Sequence, residues 1–79
     1  MNPEEALIKY YGGNAKYSGG RLISINGKYV KYFSYFGGKL SKIGNDSISY
    51  FGGKLSRVGG AQVHYVGGKI VKIGGISVS

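Results

Sequence analysis

Basic and aromatic side chains recur at a fixed spacing in this chain, and they are the residues best suited to chemistry. Two sets of cations return every 15 residues: Lys39, Lys54 and Lys69, and Lys42, Arg57 and Lys72. A tyrosine opens each copy: Tyr35, Tyr50 and Tyr65. Cationic side chains pair with phosphates, and flat rings stack on nucleic-acid bases. The pattern predicts a polyanion-binding surface, nucleic acid first, with these six cations as contacts and these three tyrosines as stacking platforms.

The overall charge points the same way. The net charge is +8, and the only acids are Glu4, Glu5 and Asp46. Such a balance favours an anionic partner: nucleic acid, an anionic membrane surface or an acidic protein. The competing interpretation is that the lysines keep a β-rich protein soluble and protect its strand edges.

The residues needed for catalysis are scarce. His64 is the single histidine, it stands where other copies have serine, and there is no cysteine. Neither a nucleophile–base pair nor a zinc site can be assembled from that set, and calcium requires more carboxylates. We therefore expect no enzyme activity, no cofactor and no metal.

The elements that must position these residues are hairpins. The phrase Tyr50-Phe51-Gly52-Gly53-Lys54-Leu55 opens the segment 50–64, and close copies open the segments 35–49 and 65–79. A Gly-Gly pair between strand-like runs is typical of a β-hairpin. We predict one all-β domain over 1–79: an antiparallel meander of hairpin repeats, about 15 residues each, in an open or barrel-like curled sheet. Residues 10–34 form degenerate repeats and 35–79 three regular ones; a β-solenoid of stacked parallel coils is the alternative.

The first residues differ from the repeats. Asn2 suits an N-cap and Pro3 the first helical position, so a short helix is predicted over 2–9. The alternative takes Leu7 to Tyr11 as a strand entering the Gly12-Gly13 turn. Further on, Asn26-Gly27 predicts a type I′ hairpin turn.

The odd repeat length constrains the register. Two two-residue turns per repeat would send equivalent residues to opposite faces, because side chains alternate along a strand. One odd loop or bulge per repeat is therefore expected. We place the tight turn at Tyr-x-Gly-Gly-Lys and the looser turn at 44–46, 59–61 and 74–76. That choice predicts a core face carrying the tyrosines, Leu55 and the row Lys42, Arg57 and Lys72, with Val58 and its equivalents on the other face.

Three further expectations concern partners and location. Glycine-punctuated strands with unpaired edges also suit a self-assembling homo-oligomer or an accessory subunit of a protein complex. Tyrosines on a sheet face could instead stack on sugars. No apolar run has the length of a membrane helix and the start is not a secretory signal, so we expect a soluble, cytoplasmic protein without a membrane span.

The hairpin phrase resembles the tyrosine-containing repeats of large bacterial toxin shells. The resemblance covers only Tyr-x-Gly-Gly-Lys-Leu-Ser-x-Ile/Val-Gly, and the Tyr-Asp pair typical of those repeats is missing. It implies hairpins and assigns no functional residue.

Overall fold

In the part of the chain that the structure describes, one short helix and nine strands make up the fold. The computed structural model describes residues 2–34 and 38–79. The helix is α1 (Pro3–Tyr10), and the strands are β1 (Ala15–Ser18), β2 (Arg21–Ile25), β3 (Lys28–Tyr32), β4 (Leu40–Ile43), β5 (Asp46–Phe51), β6 (Lys54–Val58), β7 (Ala61–Val66), β8 (Lys69–Ile73) and β9 (Ile76–Ser77). The predicted all-β hairpin meander with an N-terminal helix is confirmed.

Local chemistry fixes the start of α1. The Asn2 side chain accepts a hydrogen bond of 2.8 Å from the Glu5 backbone N–H, and Glu5 reaches back to the backbone N–H of Asn2. This capping box satisfies two backbone donors that a helix start would otherwise leave unpaired. The predicted helix is confirmed, and the alternative strand over Leu7 to Tyr11 is wrong.

The nine strands follow one another in sequence order, each antiparallel to the next. The sheet is open and does not close into a barrel, so β1 and β9 are its two edges. The turns Gly19-Gly20, Gly52-Gly53 and Gly67-Gly68 lie at one end of the strands, which we call the tight-turn edge. The turns Asn26-Gly27, Gly44-Asn45, Gly59-Gly60 and Gly74-Gly75 lie along the opposite edge.

Each repeat carries an extra residue, but its position differs from the prediction. Phe51 pairs with Lys54, which confirms the tight Gly52-Gly53 turn. Val58 pairs with Ala61, so the turn predicted to be looser is also only two residues long. The extra residue is Ser56: Ser49 pairs with Arg57 and Tyr50 with Leu55, which leaves Ser56 as a β-bulge.

The same bulge recurs in the other hairpins. The pairings leave Ile23 in β2, Ser41 in β4 and Val71 in β8 without a partner in the preceding strand. A bulge inside the strand preserves the predicted parity from repeat to repeat. It also reverses the alternation of side chains within the strand, which a longer turn would not do.

That reversal corrects the predicted faces. Leu55 and Val58 both point inward and are buried to 1% exposure, although they are three residues apart. Ile43 and Ile73 are buried in the same way. The row Lys42, Arg57 and Lys72, predicted at the margin of the core face, is exposed on the opposite, outer face.

The inner face packs around the helix. Ala6 and Leu7 are fully buried among the inward residues of the sheet, and α1 contacts β8. The hydroxyl of Tyr11, the C-cap residue, donates a 2.7 Å hydrogen bond to Asp46 Oδ2 at the start of β5. The helix therefore supplies the inner apolar layer that the curled sheet alone would lack.

The two glycines of the Gly59-Gly60 turn offer a test of turn geometry. Gly59 has φ +59°, and a Cβ there would lie 2.9 Å from Asp46 Oδ1, whereas Gly60 has no positive φ and no atom near such a Cβ. Gly59→Ala should lower the free energy of unfolding by about 1–3 kcal/mol. Gly60→Ala should leave it unchanged or raise it by a few tenths. Urea unfolding of both variants checks this, and equal effects would contradict the assigned turn.

The Tyr11–Asp46 contact predicts a pH dependence. Burial, then the hydrogen bond and the negative charge of Asp46, raise the pKa of Tyr11 far above its ordinary value. The stabilisation that this contact gives the folded state is complete below the unfolded-state pKa of about 10, and it is lost as the pH rises above that value. Tyr11→Phe should be less stable at pH 7 and should lose less stability between pH 9 and 11 than the natural chain. Parallel curves in thermal unfolding across that range would contradict this assignment.

Candidate functional site

A stripe of cations crosses the outer face of the sheet. Lys31 of β3 pairs directly with Lys42 of β4, Arg57 of β6 pairs with Ser49 and Gln62, and Lys72 of β8 pairs with His64 and Ser77. All four cations are exposed, as is His64. We call Lys31, Lys42, Arg57 and Lys72 the outer basic stripe. Its neighbours across the strands are serine, glutamine and histidine, so the outer stripe contains no compensating carboxylate.

The carboxylate side chains of the chain all lie away from the outer basic stripe. Glu4 and Glu5 belong to α1, which packs against the inner face, and Asp46 accepts the hydrogen bond of Tyr11. These are the only carboxylate side chains in the sequence. The outer face therefore carries cations without carboxylates, and it presents a positive field to solvent.

Lys31 and Lys42 are the most informative pair in the stripe. They are direct cross-strand neighbours, and like charges opposite each other destabilise a sheet. Folding alone would be served better by a neutral or acidic residue at either position. Sequence reasoning missed Lys31 because it lies outside the regular repeats. The strand-like run Lys28-Tyr29-Val30-Lys31 nevertheless places Lys31 two residues after Tyr29, on the same face of the strand.

The second predicted row of cations lies at the tight-turn edge and is arranged differently. Lys39 Nζ donates a 2.8 Å hydrogen bond to the backbone oxygen of Gly53 and lies 5.1 Å from the ring centroid of Tyr50. Lys54 Nζ lies 5.8 Å from the centroid of Tyr65. Lys69 is exposed. These distances are typical of cation–π contacts, so Lys39 and Lys54 serve the sheet itself as well as any anion.

The predicted stacking tyrosines form a ladder inside the sheet. Tyr50 donates a hydrogen bond to the Leu40 carbonyl at 3.0 Å, and Tyr65 donates to the Leu55 carbonyl at 2.7 Å. Each acceptor immediately precedes a bulge residue. Burial raises the pKa of both tyrosines, and the nearby Tyr65 adds to the effect at Tyr50. Each ring therefore ties one hairpin to the bulge of the hairpin before it.

A third tyrosine of the ladder was not predicted. Tyr35 lies outside the described residues, and Tyr32 holds the position that corresponds to Tyr50 and Tyr65. Tyr32 pairs with Leu40, donates to the Leu22 carbonyl at 2.7 Å and lies beneath the Arg21 guanidinium, 3.7 Å from ring centroid to Cζ. Tyr32 stands seven residues before Lys39, whereas Tyr50 and Tyr65 stand four residues before Lys54 and Lys69, so the repeat spacing pointed to Tyr35 instead.

A cleft opens between the helix start and the tight-turn edge. It has a volume of about 580 Å³, and its wall includes Tyr32, Tyr50, Tyr65, Lys54 and Glu4. That size suits a small molecule. The hydroxyls of the three rings are already hydrogen-bonded to backbone, so their faces and edges, together with the ammonium groups, are what the cleft offers a ligand.

Comparison with protein-family models, with curated proteins and with solved structures finds no match for this chain. Within residues 2–34 and 38–79, no three histidine, cysteine or acidic side chains are grouped as a metal site would require. The part of the chain that the structure describes contains no helix long and apolar enough to cross a bilayer. A functional assignment therefore rests on the residues and their geometry.

The ladder can be tested by removing one hydroxyl. Tyr65→Phe deletes the hydrogen bond to the Leu55 carbonyl and should lower the free energy of unfolding by about 1–2 kcal/mol. Tyr29→Phe is the matched control, since Tyr29 is 77% exposed on the outer face, and it should change stability by less than about 0.5 kcal/mol. Chemical denaturation distinguishes them; an unchanged midpoint for Tyr65→Phe would show that the hydroxyl contributes nothing.

Proposed function

We propose that this protein is a non-catalytic binding protein that holds a polyanion, nucleic acid in the first place, on its outer basic stripe. The observation that carries the proposal is the make-up of the outer face: it has four exposed cations, and every carboxylate side chain lies elsewhere. Cations and phosphates associate by releasing counterions, which needs no base-specific contact. Binding of this kind is sequence-independent.

The spacing of the stripe suits an extended ligand. Arg57 and Lys72 lie on strands separated by one other strand, and Arg57 pairs with Gln62 whereas Lys72 pairs with His64. Two strand spacings of about 4.8 Å and an offset of two residues of about 3.3 Å each place successive cations roughly 12 Å apart, on a diagonal across the sheet. Long, flexible side chains at that interval can follow a chain of phosphates. The Lys31–Lys42 pair adds a point of doubled charge, where an anion would relieve repulsion already present in the folded protein.

The tyrosines contribute less directly than the sequence suggested. The hydroxyls of Tyr50 and Tyr65 are bonded within the sheet, and a lysine ammonium lies near each ring. The main contacts with the polyanion therefore lie on the outer basic stripe, and base stacking on Tyr50 and Tyr65 is secondary. Lys39, Lys54 and Lys69 add charge at the adjoining edge.

The experiment compares two double variants with the same change in charge. Lys31→Gln with Lys42→Gln removes the doubled charge of the stripe, and Lys9→Gln with Lys28→Gln removes two exposed cations elsewhere. If all four stripe cations contact phosphates, the logarithm of affinity for a single-stranded oligonucleotide should fall with the logarithm of salt with a slope near −3. The stripe variant should reduce that slope by about 1.4.

The control variant should leave the slope close to that of the natural chain, because Lys9 and Lys28 lie outside the stripe. Unfolding measurements verify that both variants fold, and relief of the Lys31–Lys42 repulsion should leave the stripe variant at least as stable as the natural chain. Absence of oligonucleotide binding even at low salt, or equal losses in the two variants, would refute the proposal.

Self-association is the second candidate, and the open sheet favours it. β1 and β9 are edge strands, and an edge strand can pair with another chain. Sedimentation velocity over a range of concentrations would reveal this as a mass that rises with concentration. The mass should be the same for the Lys31→Gln and Lys42→Gln variant, which separates assembly from anion binding.

A further inference from the structure

Two large apolar side chains project from the tight-turn edge. Phe51 is 84% exposed and Val66 is 68% exposed, the first being the most exposed large apolar residue that the structure records. Each stands immediately before a Gly-Gly turn, so it lies at the tip of a hairpin. Neither is needed for the core, which consists of the inward residues of the same strands.

A lysine accompanies each of these apolar residues. Phe51 pairs directly with Lys54 across the turn, and Val66 pairs directly with Lys69. We call these four residues the tip surface. The side chains of a direct cross-strand pair lie on the same face, about 5 Å apart between Cβ atoms. The tip surface is therefore two adjoining copies of one apolar residue and one cation.

We propose that the tip surface docks on an anionic lipid bilayer, with Phe51 and Val66 entering the headgroup region and Lys54 and Lys69 contacting the lipid phosphates. Apolar side chains gain by leaving water at the boundary of the acyl chains, while nearby lysines are attracted to anionic headgroups. Lysine also extends its charge away from an apolar environment, so the two kinds of side chain can be adjacent.

The repeat favours a lipid surface over nucleic-acid bases. The corresponding positions hold Phe51 and Val66, so the property they share is apolarity and not an aromatic plane. Stacking on bases needs a flat ring at each site, whereas a bilayer accepts either side chain. The first hairpin has Ser18 in this position, and the proposed contact belongs to the hairpins β5–β6 and β7–β8.

The charge around the tip surface also suits an anionic bilayer. Arg21 follows the Gly19-Gly20 turn along the same edge, and Lys39 lies in the wall of the adjoining cleft. Glu4 is the one carboxylate of the cleft beside this edge, where it lines the inner wall together with Lys54. The edge therefore remains positive overall. This docking site does not depend on the outer basic stripe, so it can be tested independently of the proposed function.

Vesicle flotation tests the proposal with the full chain. Vesicles of phosphatidylcholine mixed with phosphatidylserine should carry the natural chain upward, and vesicles of phosphatidylcholine alone should do so at least about tenfold more weakly. Phe51→Ser with Val66→Ser keeps every charge and should reduce binding to the anionic vesicles by about tenfold or more. Lys54→Gln with Lys69→Gln should also weaken it.

The matched control changes exposed apolar residues at the opposite edge. Tyr29 and Ile76 are 77% and 48% exposed beside the turns of that edge, so Tyr29→Ser with Ile76→Ser should bind vesicles like the natural chain. The Lys31→Gln and Lys42→Gln variant should retain vesicle binding while its oligonucleotide binding weakens, and the Phe51→Ser and Val66→Ser variant should do the reverse.

Three results would overturn the inference. One is equal binding to neutral and anionic vesicles, and another is an equal loss in the tip and control variants. The third is a loss of oligonucleotide binding in the Phe51→Ser and Val66→Ser variant without a loss on vesicles, which would make the tips a nucleic-acid contact. All variants alter exposed side chains, and unfolding curves establish that each one is folded.

Discussion

The structure depends on the extra residue in the second strand of each hairpin. In a regular strand without the bulge, Leu55 and Val58 are three residues apart and would point to opposite faces. With the bulge, both reach the core, and the cation between them points to solvent. A bulge also disrupts the local hydrogen bonds and increases the twist of the strand. The tyrosine of the next hairpin uses the carbonyl beside the bulge as an acceptor, so the irregularity that sets the faces is also where successive hairpins are joined.

Much of this architecture follows from the sequence, because it depends on local chemistry. The Gly-Gly turns, the Asn2 cap and the type I′ signs of φ at Asn26 and Gly27 each need only a few neighbouring residues. The odd repeat length correctly required one irregularity per repeat. The position of this irregularity could not be predicted in the same way, because a three-residue loop and a strand bulge both keep equivalent residues on the same face in successive repeats. The choice between them depends on which residues are buried together, and that is decided by the whole sheet packing around α1.

The candidate surfaces were predictable to a similar extent. The rows of cations can be recognised in the sequence by their spacing. The face of the sheet on which Lys42, Arg57 and Lys72 lie depends on the position of the bulge. Lys31 and Tyr32 belong to the degenerate repeats over 10–34, so no regular spacing reveals them. The engagement of the tyrosine hydroxyls with backbone carbonyls is a tertiary property. Spacing in a repeat thus identifies which side chains recur, while the direction in which they point requires the three-dimensional pairing.

The position of α1 has a consequence for how the fold is assembled. Hairpins that contact only their neighbours could form and dissolve one at a time, as the units of a linear array do. The helix is made from the first residues of the chain, yet it contacts β8, close to the other end. That contact spans most of the sequence, and such contacts slow folding because a long loop must close before they form. The hairpins need only local contacts, whereas the inner layer is complete only when β8 meets α1. We therefore expect the hairpins to form early and the completed fold to unfold as one cooperative unit.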